Sequence, residues 1–138
     1  MPVRTGAPAR AAPSARGALE VRREGETIEG RAQDLDPRVL RRLRQGDPPA
    51  EAELDLHGLT EAEAGPAVAR WLRDRAAEGR RCVRIVTGRG LHSQGAPRLR
   101  EAVPGWLAVS AEVRAFVIAP TRHGGAGALH VLLRIKRD

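Results

Sequence analysis

The order in which strand-like and helix-like segments alternate constrains the fold of this chain more than any other feature. Four short runs rich in aliphatic residues are typical of strands, and two longer segments with helical spacing separate the first three runs. A strand-helix-strand connection places its helix against one face of the sheet. The order β-α-β-α-β-β therefore predicts an α/β fold: a two-layer sandwich with a four-stranded mixed sheet and two helices on one face.

Turn and capping residues bound these segments. The first helix begins at a capping box, with Thr60 as N-cap and Glu63 at the third helical position, and it ends at Gly79. Pro97 opens the second helix. The four predicted strands are residues 52–57, 82–87, 113–119 and 129–135.

The first 50 residues differ in composition from the rest. Residues 1–18 are mostly Pro, Ala, Gly and Arg, so burial cannot offset their ordering entropy, and we expect a disordered tail. Residues 19–50 form an N-terminal extension, in which Asp36-Pro37 predicts the start of a short helix near 36–44. Residues 51–138 are the predicted folded domain. Whether the extension packs on that domain or binds a partner is left open.

The charge balance and composition narrow the class of partner. A formal charge of +7 and a sequence pI of about 11.3 favour a polyanion such as nucleic acid. An aromatic content of 2% argues against binding by rows of stacking aromatic rings. No run approaches the roughly 20 apolar residues that span a membrane, and no hydrophobic segment follows the N-terminal arginines. With one cysteine, an internal disulfide is impossible, and we expect a cytoplasmic protein.

A carboxylate and an imidazole share one face at the end of the first predicted strand. Asp55 and His57 are two residues apart, so they project to the same side, opposite Leu54 and Leu56. Such a pair can form a proton-transfer site. The spacing is common, however, and the alternative is that these residues only shape the turn before Gly58.

Two glycine-rich loops add candidate phosphate ligands. Thr87–Gly90 follows the second strand, and the loop around residues 122–127 joins the last two strands, so both can reach the edge that holds His57. Neither loop has the Lys-Ser/Thr of a P-loop, so no ATP site is expected, and the histidine spacing has no zinc signature. The candidate nucleic-acid-binding residues are Thr87, Gly88, Arg89, Gly90, His92, Arg122, His123, Gly124, Gly125 and Gly127.

Three sequence blocks, taken together, resemble a known family. LDLHG at 54–58, TGRG at 87–90 and HGGAGA at 123–128 are similar, in this order, to the signature blocks of the Smr (small MutS-related) domain. The resemblance covers roughly residues 52–136, and the segment before the first block resembles the N-terminal extension of stand-alone bacterial Smr proteins.

The resemblance implies a two-layer α/β fold and endonuclease activity. Members of the family nick DNA or cleave RNA, some of them on messenger RNA at collided ribosomes. The family's D-x-H pair falls on Asp55 and His57, and its glycine loop falls on Thr87–Gly90. A MutS-type ATPase region is absent from this sequence, so ATP-driven action is not expected.

The distribution of carboxylates favours RNA over DNA. Residues 87–100 contain no Asp or Glu, and after Ala119 the only one is Asp138. A two-metal hydrolase needs several acidic ligands, whereas RNA supplies its own 2′-hydroxyl nucleophile. We therefore expect RNA cleavage without a metal or other cofactor, with His57 as general acid or base and Asp55 orienting it.

The phosphate would be held by Arg89, Arg122 and the N–H groups of the glycine loops. Two alternatives stay open. One is a DNA-nicking endonuclease in which Mg²⁺ bridges Asp55 and the phosphate. The other is a non-catalytic module that binds RNA or the ribosome.

Overall fold

The structure is a computed structural model that describes residues 18–88, 96–120 and 123–135. Within these residues the chain forms six strands, three α-helices and one 3₁₀ turn, Gly125–Gly127. The strands are β1 (Glu20–Glu24), β2 (Thr27–Arg31), β3 (Glu53–Asp55), β4 (Cys82–Val86), β5 (Val113–Ile118) and β6 (Ala128–Leu133). The helices are α1 (Pro37–Arg44), α2 (Glu61–Ala77) and α3 (Ala96–Ala108).

The predicted α/β class is confirmed, but the predicted four-stranded sheet with two helices is wrong in detail. The six strands form one mixed sheet in the order β1-β2-β5-β6-β4-β3. Strands β3 and β4 are parallel, and the other neighbours are antiparallel. The two additional strands are a hairpin from the N-terminal extension, in which β2 pairs with β5 through Glu29 and Val117.

Helices lie on both faces of this sheet, which corrects the expectation that they lie on one face. Ile28 and Glu29 are consecutive in β2 and therefore project to opposite faces. Ile28 lies on the side of α3, where it lines a groove together with Arg100. Glu29 projects to the other side, where both oxygens of its carboxylate accept hydrogen bonds from Arg44 of α1, one of them at 2.8 Å. This ion pair raises the pKa of the Arg44 guanidinium and fixes α1 on the second face.

Capping residues start the helices where the sequence predicts them. The Oδ1 atom of Asp36 accepts a hydrogen bond from the Arg38 main-chain N–H at 2.9 Å, and the nearby guanidinium of Arg38 lowers the pKa of this carboxyl. In α2, the Thr60 hydroxyl and the Glu63 carboxylate bond reciprocally to each other's main-chain N–H groups. The capping box is thus confirmed, and α2 begins at Glu61 and continues through Pro66.

The core is almost entirely aliphatic, as the scarcity of aromatic residues requires. Its largest fully buried side chain is Phe116 of β5, which lies against Gly30 of β2. A Cβ atom at Gly30 would lie 2.2 Å from the Phe116 ring, so only glycine allows the hairpin to pair at this distance. No helix in the described part of the chain combines the length and apolarity that a membrane span needs.

Candidate functional site

Three loops meet at one end of the sheet. The parallel strands β3 and β4 end at the same edge, and the antiparallel β6 begins there. Val86 at the end of β4 accordingly pairs with Asp55 on one side and with Ala128 on the other. The structure therefore brings the first motif beside the start of β6, where the glycine loop ends.

Main-chain hydrogen bonds join the two glycine loops directly. The N–H groups of Thr87 and Gly88 both donate to the carbonyl oxygen of Gly127, at 2.8 and 3.2 Å. The Thr87 side chain is only 2% exposed, and its hydroxyl donates to the same carbonyl at 3.3 Å. Thr87 thus ties the loops together instead of presenting its hydroxyl to a ligand.

Arg100 of α3 is a loop-supporting residue that the sequence analysis missed. Its Nη1 atom donates to the carbonyl oxygen of Gly88 at 3.1 Å, and the side chain is half-buried. A helical arginine with no motif around it carries no sequence signal for such a contact.

Asp55 and His57 lie exposed at the edge, and a local hydrogen bond orders them. The Oδ1 atom of Asp55 accepts from the main-chain N–H of His57 at 2.8 Å. Between them, Leu56 is fully buried and donates its N–H to the Val86 carbonyl at 2.8 Å. The buried leucine anchors the turn, so the carboxylate is held in place and the imidazole is accessible to a substrate.

Five of the described loop N–H groups are not available to a phosphate. Those of Thr87, Gly88, His123, Gly125 and Gly127 all donate to main-chain carbonyls, at 2.7 to 3.2 Å. The expectation that these N–H groups form an anion site is therefore corrected for these five positions.

Gly124 shapes the second loop through its own backbone conformation. Its φ is +119°, and a Cβ atom there would lie 2.7 Å from the Cβ of Ala128. Only glycine permits the tight return of the chain into β6. Four of the predicted binding residues, Arg89, Gly90, His92 and Arg122, lie outside the described residues.

A row of polar side chains crosses the same sheet face one step behind the loops, and the sequence analysis missed it. In the strand register, Arg84 of β4 lies opposite Glu53 of β3 and opposite His130 of β6. The Arg84 Nε atom donates to His130 Nε2 at 3.2 Å, and its Nη1 atom donates to Glu53 Oε1 at 3.0 Å. His130 is fully buried.

His123 connects this row to the glycine loop. Its ring stacks on that of His130, with 5.4 Å between the centroids and a tilt of 31°. The His123 side chain is half-buried, and its Nδ1 atom is buried without a hydrogen bond to any described residue. Two imidazoles therefore reach this edge within the described residues, those of His57 and His123, with His130 beneath the second.

Within the described ranges, no three or more His, Cys, Asp or Glu side chains are grouped closely enough to hold a metal ion. Glu53 shares the face of Asp55, but its carboxylate is already paired with Arg84.

Comparison with known proteins places these features in context. A family model described as "Smr domain" matches residues 54–134. The chain is 34% identical over 113 residues to a ribosome rescue factor SmrB of Haemophilus ducreyi, which covers 82% of this chain and 61% of that protein. It is 35% identical over 113 residues to the SmrB of Klebsiella pneumoniae, covering 82% and 58%. The chain thus spans about three fifths of the length of these relatives.

Two solved structures are similar in fold. YdaL, a stand-alone small MutS-related protein from Escherichia coli, superimposes with a TM-score of 0.69 at 33% identity, covering 80% of this chain and 85% of that one. The Smr domain of Thermus thermophilus MutS2 superimposes with a TM-score of 0.52 at 37% identity, covering 60% and 98%.

Proposed function

The chain belongs to the Smr domain family, and from this we propose that it is an endonuclease that cleaves RNA, acting on messenger RNA at the ribosome. The observation that carries the proposal is the exposed Asp55–His57 pair at the sheet edge where both glycine loops meet. The name of the relatives, ribosome rescue factor, supports a ribosome-bound substrate. The positive charge of the chain supports a nucleic-acid partner.

In the proposed reaction, His57 acts at the 2′-hydroxyl next to the cleaved bond. The neutral imidazole takes the hydroxyl proton, the 2′-oxygen bonds to phosphorus, and the bond from phosphorus to the 5′-oxygen breaks. The products are a 2′,3′-cyclic phosphate and a 5′-hydroxyl. Asp55 holds the turn that carries His57, and its negative charge stabilises the imidazolium that forms.

Phosphate binding in this proposal falls to arginine side chains. A guanidinium is always charged and forks toward two phosphate oxygens, so Arg89 and Arg122, in the two glycine loops, fit this role. The N–H groups of five described loop positions are already bonded to carbonyls, which favours these side chains as the phosphate ligands.

The small number of carboxylates in the site favours RNA over DNA as the substrate. Strand β3 carries two carboxylates on this face. That of Glu53 is paired with Arg84, so that of Asp55 is the one available for catalysis. One carboxylate is a poor set of ligands for the paired metal ions that activate a water molecule. A substrate that carries its own nucleophile does not need them.

A non-catalytic RNA-binding module is the second candidate function. The Asp55 carboxylate accepts a hydrogen bond from the main-chain N–H of His57, which is also what a purely turn-forming aspartate does. Such a module would bind RNA through its arginines and would not turn over substrate.

The test is a cleavage assay with 5′-labelled single-stranded RNA, stalled ribosomes on labelled messenger RNA, and supercoiled DNA. Each substrate is incubated with Mg²⁺ or with EDTA, using the wild-type protein, His57→Ala, and Arg70→Ala as a control that removes an exposed charge from α2. We expect RNA cutting in EDTA that leaves cyclic phosphate ends, and its loss only in His57→Ala. Nicking of DNA that requires Mg²⁺ would contradict the proposal, and binding without any cutting would support the module.

A further inference from the structure

The cleavage proposed above requires a second proton-transfer group. In an in-line displacement the attacking and leaving oxygens lie on opposite sides of phosphorus, so the group that takes the 2′-proton cannot also reach the 5′-oxygen. Building on the proposed function, we propose that His123 is the general acid of the reaction and that the buried His130 positions it.

The placement of His123 suits this role. Asp55, Val86 and Ala128 are register neighbours on three adjacent strands, so the main chain of Asp55 lies on the order of 10 Å from that of Ala128. His123 stacks on His130, which is two residues beyond Ala128 on the same face. His57 follows Asp55 on one side of this edge, and His123 belongs to the loop that precedes β6 on the other, so we place the phosphodiester between them.

The ring of His123 presents one nitrogen to a substrate. Its Nδ1 atom is buried, whereas the side chain as a whole is half-exposed, so Nε2 is the nitrogen that an RNA oxygen can reach. A protonated Nε2 can donate to the leaving 5′-oxygen.

The hydrogen bond from Arg84 determines which ring nitrogen of His130 carries the proton. A guanidinium does not lose its proton in proteins, so the Arg84 Nε–H group is always a donor and His130 Nε2 must be the acceptor. The proton of His130 is then on Nδ1, and the ring is neutral. The neutral ring adds no positive charge beside His123, and the charge of Arg84 is balanced by Glu53, with Asp55 also on this face.

The proposed step balances without any further reactant. Neutral His57 gains the proton of the 2′-hydroxyl while the bond between the 2′-oxygen and phosphorus forms. The bond between phosphorus and the 5′-oxygen breaks, and His123 gives its Nε2 proton to that oxygen. Nothing is oxidised or reduced.

The decisive experiment uses an RNA with sulfur in place of the 5′-oxygen at the cleaved bond, because a thiolate leaves without a proton. We expect His123→Ala to cut ordinary RNA about 10²- to 10⁴-fold more slowly than wild type, yet to cut the sulfur substrate within about tenfold of it. His57→Ala should be slow on both substrates. Equal impairment of His123→Ala on both, or none on ordinary RNA, would overturn the inference. If wild type cuts neither, the proposed function itself fails and the inference with it.

The positioning role has its own readout that needs no RNA. The chain has four histidines, so protein labelled with ¹⁵N in its imidazoles gives four ring patterns in a long-range ¹H–¹⁵N spectrum. We expect the pattern that disappears in His130→Phe to be that of a neutral ring with its proton on Nδ1. An Nε2–H tautomer or a cationic ring at neutral pH would overturn it.

His130→Phe should also slow cleavage of ordinary RNA more than of the sulfur substrate, and an equal loss on both would reduce His130 to a structural residue.

Discussion

The two polar regions of one sheet face use their side chains in opposite ways. At the loop edge, Asp55 and His57 are exposed. The Asp55 carboxylate accepts a hydrogen bond from the nearby main-chain N–H of His57. One step into the sheet, Arg84 donates hydrogen bonds to both Glu53 and His130, and His130 is fully buried.

The difference indicates which residues of this fold can react with a substrate and which ones hold the structure in place. Polar atoms that satisfy each other inside a sheet have little left for a substrate, but they hold their neighbours in fixed orientations. Exposed polar atoms at strand ends are less restrained and can exchange protons with a ligand. His123 lies at the boundary between the two regions, since it belongs to the loop edge and stacks on the buried His130.

Removal of the exposed imidazole should separate activity from stability most strongly. We expect His57→Ala to lower the rate of RNA cleavage at least about 100-fold, because it removes the proposed general base. The free energy of unfolding should change by no more than about 0.5 kcal/mol, because the side chain is exposed. Single-turnover cleavage and urea unfolding of the same sample measure the two quantities. A large loss of stability would show that His57 supports the fold, as Arg84 and His130 do.

Removal of the half-buried Arg84 side chain should have the opposite profile. Arg84→Met leaves the Nε2 atom of His130 without its donor and Glu53 without its ion pair. We expect this to lower the free energy of unfolding by about 1 to 3 kcal/mol. Arg81→Met, an exposed position just before the same strand, is the matched control and should cost no more than about 0.5 kcal/mol. Urea unfolding compares them, and equal effects would mean that the row contributes nothing to the fold.

The pH dependence of the free energy of unfolding tests the burial of Cys82. Cys82 is fully buried in β4, and burial raises the pKa of its thiol to about 11. An unfolded thiol titrates near about 8.5, so above that pH the unfolded state loses a proton that the folded state keeps, and stability falls as pH rises. The slope should approach about 1.4 kcal/mol per pH unit between about pH 9 and 11, with no effect at pH 7.

This alkaline window is nearly free of other titrating groups, because the chain has no tyrosine and Lys136 is its single lysine. Urea unfolding of wild type and Cys82→Ala at several pH values isolates the thiol. The variant should show a flat profile between pH 9 and 11. The same slope in both proteins would show that Cys82 is not held as a neutral thiol.

The elements that the sequence predicts are those with a strong local signal. The capping box at Thr60 and Glu63 and the aliphatic strands of the domain are both visible in the residues themselves. The hairpin β1–β2 is not, because β1 is exposed throughout and its sequence, EVRRE, does not alternate between apolar and polar residues. Its pairing rests on backbone hydrogen bonds and on the small size of Gly30, which only the partner strand reveals.

The residues of the candidate site also differ in how clearly the sequence reveals them. Asp55, His57 and the glycine loops could be found because short motifs carry them. Glu53, Arg84 and His130 could not, because each is an isolated polar residue in an aliphatic strand, and only the register between three strands brings them together. The N–H groups of five described loop positions donate to main-chain carbonyls, including those of Gly127 and Pro120, and the sequence does not reveal these contacts either.

The most direct measurement removes one oxygen from the substrate. An RNA carrying a single 2′-deoxynucleotide immediately 5′ to the cleaved bond is compared with the unmodified RNA, in EDTA and with the wild-type protein. We expect cleavage at that bond to disappear while neighbouring bonds are still cut, because the missing 2′-hydroxyl is the nucleophile that His57 activates. Undiminished cleavage at the modified bond would show that water is the nucleophile, and it would contradict the mechanism built on Asp55 and His57.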